Sequence, residues 1–188
     1  FIILIILLSS LAALNGLKQL YIGLFPGEQR FLDEGAHSTH ILWGKLRVFS
    51  FFSDAGQFGA SQAHVGLISL ILSLGPFKKW KRILLFICGC LMLYGMLISG
   101  TRGALFALIV GVFVAIILSK KFKILLLGGT LMLGFFIFLK FTHIGDSNYQ
   151  IYRLRTAFNP EDASLKVRFN TQRNLREYMS SRPFGGGL

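Results

Sequence analysis

Acidic side chains are what this 188-residue chain has least of: eight Asp and Glu stand against twenty Lys and Arg, a formal net charge of +12. Charged residues make up only 15% of the sequence and hydrophobic ones 53%, with a mean hydropathy of +0.61. So little polar surface excludes a soluble globular domain and gives an all-α, polytopic helical membrane protein as the expected fold class. In a soluble protein the positive excess would point to nucleic acid. Here much of it sits in loops beside apolar runs, so no nucleic-acid partner is expected. Cysteine is scarce too. Cys88 and Cys90 lie two apart inside an apolar run, on different sides of a helix and without further ligands nearby, so they read as small buried apolar residues and not as a metal centre. His37 and His40 flank Ser-Thr in an outer loop without a third ligand and read as surface residues. The chain also lacks a nucleotide fingerprint, metal-ligand spacing and a serine–histidine–acid arrangement, so the expectation is no cofactor and no metal.

What the chain has instead is apolar runs. A spanning helix needs roughly 17 to 25 predominantly apolar residues. Runs of that kind are expected at 1–14 (continuing toward 25), 56–74, 83–98, 103–118 and 124–141, about five spans. The chain is apolar from Phe1 and ends abruptly on a glycine run, so it reads as an internal piece of a larger protein. Its expected organisation is a single membrane domain: a truncated first helix at 1–25, an outer loop at 26–55, four spanning helices within 56–142, and an incomplete outer loop at 143–188.

Two short loops set the orientation. One carries Lys78, Lys79, Lys81 and Arg82; the other carries Lys120, Lys121 and Lys123; neither has an acidic residue. Lysine-rich short loops are retained in the cytoplasm, with Trp80 as an interfacial anchor. The opposite face then receives 26–55, the break at 99–102 and 143–188, which hold all the Asp and Glu and most of the His. Any chemistry is expected on that extracytoplasmic face.

Three segments there stand out. In the first, Arg47 precedes a run of aromatics and Asp54 stands where a helix would begin, a position from which a carboxylate caps free backbone N–H groups. Gln57, Gln62 and His64 follow in the outer part of that helix, and polar groups at membrane depth usually face the bundle interior. In the second, Ser99-Gly100-Thr101 allows a tight turn and Arg102 opens the next helix. Free N–H groups at a helix start favour an anion, and a guanidinium adds a permanent charge with a fork suited to phosphate. The bland alternative is an arginine reaching to lipid headgroups. In the third, Asn159-Pro160-Glu161-Asp162 is a helix start. The helix expected at 160–180 is amphipathic: Leu165, Phe169, Tyr178 and Met179 are its apolar residues, and Arg168, Gln172 and Arg176 lie at i, i+4 and i+8. Such a helix can lie along the outer surface as a lid.

In these segments the chain resembles the O-antigen ligase and O-antigen polymerase superfamily of bacterial envelope glycan transferases. The resemblance rests on Arg47, Phe51, Phe52 and 54–58; on Ser99, Arg102, Gly103 and Ala104; on Arg168; and on a closing pattern of Pro183, Phe184, Gly185 and Gly187. These occur in the family's order from Arg47 to the end of the chain. Asp54-Ala55-Gly56 replaces the family's usual Asn-Pro-Asn, and the closing pattern is one residue shorter.

The resemblance implies an enzyme of the bacterial cytoplasmic membrane. Such an enzyme transfers a glycan from an undecaprenyl-pyrophosphate carrier to an acceptor hydroxyl, on another glycan or on lipid A-core, outside the membrane and without a nucleotide or metal. It implies Arg102 and Arg168 as catalytic cations on the pyrophosphate, with Arg47, Asp54, His64 and Arg176 as substrate-binding candidates. The competing class is a transporter or flippase of a polyprenyl-linked or anionic substrate. That class needs polar groups at mid-membrane, which the runs after His64 hardly supply.

Overall fold

The computed structural model describes residues 1–42, 44–119, 130, 133, 134, 137, 141, 142, 152, 155, 156 and 163–182; at 163–165, 168, 177 and 181 only the backbone is described. The order of elements is α1 (Ile2–Tyr21), α2 (Pro26–Phe31), a π-helical turn (Leu32–Ala36), α3 (His37–His40), a two-residue hairpin of β1 (Ile41–Leu42) and β2 (Lys45–Leu46), α4 (Ala55–Ser73), α5 (Lys79–Ile98), α6 (Arg102–Leu118) and α7 (Ala163–Ser181). The protein is mostly helical, and the small hairpin is its departure from an all-α fold among the described residues.

Helices α1 and α5 are each 20 residues long and apolar enough to cross a membrane. At 1.5 Å per residue each spans about 30 Å, the thickness of a hydrocarbon core. Helix α6 is apolar but has 17 residues. Helix α4 has 19 residues and carries Gln57, Gln62 and His64 in its outer half. The fifth expected span, 124–141, lies outside the described residues apart from isolated helical positions. The expectation of about five spans therefore reduces to two that meet the length and hydropathy criterion among the described residues.

The weak hydropathy of α4 follows from its position. It packs against α1, α5 and α6 at once, so much of its surface faces protein and need not be apolar. Its buried face is built from small residues, Gly59, Ala63, Gly66, Ser69 and Ser73. Gly66 meets Gly89 of α5 backbone to backbone: a Cβ on Gly66 would lie 3.3 Å from the Gly89 carbonyl oxygen, and one on Gly89 would lie 3.2 Å from the Gly66 carbonyl oxygen. Small residues at a membrane helix crossing allow this close approach. The Ser69 hydroxyl donates to the Leu85 carbonyl at 2.8 Å, and fully buried Gln62 donates to the Ser9 carbonyl at 3.2 Å. Cys88 is half-buried and Cys90 exposed, both as free thiols, so Cys90 departs from the expected burial because the opposite face of α5 is the one that packs.

One helix start differs from the sequence expectation, and the open end of the first helix is settled. Helix α5 begins at Lys79, not at 83, because nothing in Lys79-Trp80-Lys81-Arg82 breaks a helix and long basic side chains let it extend past the apolar layer. Helix α1 runs on to Tyr21. Its polar last turns are satisfied by the 26–55 segment: Gln19, buried, accepts from the Phe49 and Ser50 N–H groups at 3.2 and 2.8 Å and donates to the Ser50 carbonyl and Glu28 at 3.2 and 2.9 Å.

The segment 26–55, expected as a loop, is folded. Leu32, Phe49 and Ala55 form its small core, with Phe31, Ile41 and Leu46 against them. His40 belongs to this core, which corrects its reading as a surface residue. It is 2% exposed, its ring lies edge-on to Phe49 and Phe31 at 4.8 and 5.6 Å, and its Nδ1 is 2.9 Å from the Ala36 carbonyl. His37 is exposed, as expected. Glu28 ties the segment to α1. It pairs with Lys18 at 2.5 Å and accepts from the Phe25 N–H at 2.7 Å. Burial works against ionisation of Glu28, but hydrogen bonds from Lys18, the Phe25 N–H, Gln19 and Asn15 outweigh it and hold the carboxyl below its usual value of 4.5.

Candidate functional site

The start of α4 and the α5–α6 break lie side by side at one end of the bundle. Asp54 is the N-cap of α4: its Oδ1 accepts from the Gly56 and Gln57 N–H groups at 2.6 and 3.3 Å. Capping is thus what its carboxylate does here, and it satisfies donors the helix start would otherwise leave open. The break itself is tight. Gly100 has φ +59°, a left-handed conformation that favours glycine. Ser99, fully buried, donates through Oγ to the Met96 carbonyl at 2.6 Å and accepts from the Thr101 N–H at 3.2 Å. Gly59 gives the break room: a Cβ there would overlap Ser99 Oγ and lie 3.0 Å from Thr101 Cβ.

Thr101 is the joint of the site. Its hydroxyl donates to the Ala55 carbonyl at 3.0 Å and accepts from Arg47 Nη2 at 3.3 Å. Arg47 follows β2; its backbone N–H donates to the His40 carbonyl at 2.7 Å and its Nη1 to the Thr39 carbonyl at 3.0 Å. The folded 26–55 segment therefore holds the Arg47 guanidinium against the residue that precedes Arg102. Arg102, half-buried, is the first residue of α6, and its Nη1 donates to Thr156 Oγ1 at 3.3 Å. Two arginines 55 positions apart in sequence thus converge on one short break, beside the capped start of α4.

The other expected site residues lie elsewhere. His64 is exposed on α4, and its Nδ1 sits 2.7 Å from the Ala60 carbonyl one turn back, so the structure does not bring it to the break. Arg168 lies on α7, and its side chain is outside the described residues. Arg176 is exposed on α7 beside a shallow hollow that it lines with Gln172, Leu175, Met179 and Ser180. Phe169, Tyr178 and Met179 of α7 are also exposed. The helix-opening 159–162 and the closing pattern 183–187 lie outside the described residues. Sequence reasoning assigned Thr101 only to the turn and did not see it as the bridge. It also missed Gln19 and the Lys18–Glu28 pair, for which polar residues near the end of an apolar helix were the available signal.

A helical bundle with two helices long and apolar enough to cross a membrane, and two arginines at one break, fits the class of helical membrane proteins. The particular family follows from comparison. The family model described as O-antigen ligase matches residues 87–187, more than half of the chain and including Arg102, Arg168 and Arg176. The chain belongs to the O-antigen ligase family. Arg47, Asp54 and His64 precede the matched region. No curated protein and no solved structure matches the chain. The function is thereby of the O-antigen ligase or polymerase type, a glycosyltransferase-like activity of a membrane protein that acts on lipid-linked glycan and polysaccharide.

Proposed function

We propose that this protein transfers a glycan from an undecaprenyl-pyrophosphate carrier to an acceptor hydroxyl on the extracytoplasmic face of the bacterial cytoplasmic membrane. The observation that supports this most is the Arg47–Thr101 hydrogen bond, which brings a second guanidinium to the residue before Arg102. Negative charge grows on the departing pyrophosphate as the glycosidic bond breaks. Fixed cations placed there stabilise the transition state more than the ground state. Arginine keeps its proton, so Arg102 and Arg47 act as electrostatic clamps while Arg168 and Arg176 of α7 approach the same carrier from the outer segment. Asp54 serves this site by fixing the start of α4 next to Thr101.

The test uses the full-length protein in nanodiscs with an undecaprenyl-pyrophosphate glycan and an acceptor, following release of the lipid pyrophosphate. Arg102→Ala is expected to lower turnover by a factor on the order of 100, the scale for loss of one transition-state charge contact. Thr101→Val, which removes the bridge to Arg47 and the hydrogen bond to the Ala55 carbonyl but keeps Arg102, is expected to lower it less. Turnover of Arg102→Ala within about threefold of wild type, in protein shown to be folded, would overturn the clamp.

A further inference from the structure

The opposite end of the bundle has a feature that glycan transfer does not use. A groove of about 320 Å³ opens there between the first turns of α1, the last turn of α4 and the start of α5. Its wall is almost entirely apolar, formed by Ile2, Ile6, Leu72, Phe77, Trp80 and Leu84, with the exposed Lys81 beside it. A second hollow, also about 320 Å³, lies on the other side of the α5 start, where Lys79 and Arg82 meet Leu74, Ile83 and Phe86. Lys78, Lys79, Lys81 and Arg82 collar this end, and among the described residues none of the four has a carboxylate partner. Arg82 is held in place: its Nε donates to the Ser73 carbonyl at 2.9 Å. The Lys81 ammonium lies 5.5 Å from the centre of the Trp80 ring.

We propose that this end of the bundle binds one anionic phospholipid, one acyl chain laid in the groove, its phosphate beside Lys81 and within the positive field of the collar that Lys79 and Arg82 complete. Charge and depth select this occupant. The groove lies beside the start of α5, where its basic first turn gives way to the apolar run, so an acyl chain reaches it from the bilayer without crossing water. Basic pockets between membrane helices on the cytoplasmic side take anionic headgroups, and tryptophan favours the headgroup level. Retention of lysines in the cytoplasm accounts for the charge but not for the apolar groove beside it or for an arginine fixed to the end of α4. The proposal does not depend on the transfer reaction.

The test is native mass spectrometry of the full-length protein in mild detergent, titrated with phosphatidylglycerol or with phosphatidylcholine of the same acyl chains. Phosphatidylglycerol is expected to be retained at lower concentration. The triple variant Lys79→Gln, Lys81→Gln, Arg82→Gln is expected to lose that preference by at least about tenfold, the scale of two or three basic contacts at a membrane surface. The lysines at 120, 121 and 123 stay in place as the topology signal. Leu84→Trp fills the groove with every charge kept, and is expected to weaken retention of both lipids, whereas Ile87→Trp on the exposed side of α5 is expected not to. Equal retention of the two lipids by wild type would overturn the proposal. So would full retention by Leu84→Trp, the result if another segment of the full-length chain seals the groove. Displacement of the lipid by glycerol 3-phosphate would also overturn it, by assigning the cations to a soluble phosphate.

Discussion

Gly59→Ala tests whether the Arg102 break depends on backbone room. In an exposed helix the change would stabilise by about 1 kcal/mol through helix propensity. Here the added methyl would overlap Ser99 Oγ and stand 3.1 Å from Ser99 Cβ and 3.0 Å from Thr101 Cβ. Ser99 is fully buried and its Oγ is already committed to Met96 and Thr101, so it has little freedom to turn away. Overpacking of a tight site costs about 1–3 kcal/mol. Displacing Ser99 Oγ would weaken its two hydrogen bonds, each worth about 1 kcal/mol net. The sum favours destabilisation by roughly 1–3 kcal/mol once propensity is subtracted. The assay is thermal unfolding of the full-length protein in nanodiscs, beside the turnover assay. Gly59→Ala is expected to lower the midpoint and reduce turnover, because Thr101 and with it Arg47 move. Ser99→Ala in the same chain removes the nearest obstructing atom, so the double variant is expected to recover part of the loss. A Gly59→Ala protein as stable as wild type, or more so, would show that propensity alone governs the position and that Ser99 and Thr101 do not close on Gly59.

Two further predictions concern the supports of the site. Asp54→Ala removes the α4 cap and is expected to lower stability by about 1 kcal/mol, while Asp54→Asn keeps an acceptor and most of that stability; thermal unfolding of the two variants decides it. Glu28 titrates below its usual range in the folded protein. Its contribution is therefore fully present above the unfolded value near 4.5 and is lost as pH falls through the lower folded value. Glu28→Gln is expected to flatten that acid limb of the stability profile. An acid limb of unchanged steepness in the variant would mean that Glu28 is not its source.

The membrane class, the position of α4 and the place of Arg102 at the break before α6 were legible in the sequence because they rest on signals that need no partner. Apolar runs of spanning length, an aspartate before a helix and an arginine between two apolar runs are local facts. The family resemblance was legible for the same reason, since its motifs are short and lie in order. The start of α5 was misplaced because hydropathy marks where the membrane ends, while a helix ends where its backbone loses partners. Asn15, Lys18 and Gln19 look like the close of an apolar run, yet Glu28 and Ser50 bind them and α1 continues to Tyr21.

What the sequence alone determined, then, is the solvent the chain lives in and the helical class that follows, because composition and run length act residue by residue. Only tertiary structure decided that 26–55 folds into a cap, that His40 is core and not surface, that α4 carries polar residues by sitting among other helices, and that His64 stands away from the break. It also decided that Arg47 reaches Thr101 across 54 positions. Pairings of that kind depend on which backbones approach closely, and that is set by Gly59, Gly66 and Gly89 meeting their neighbours in space.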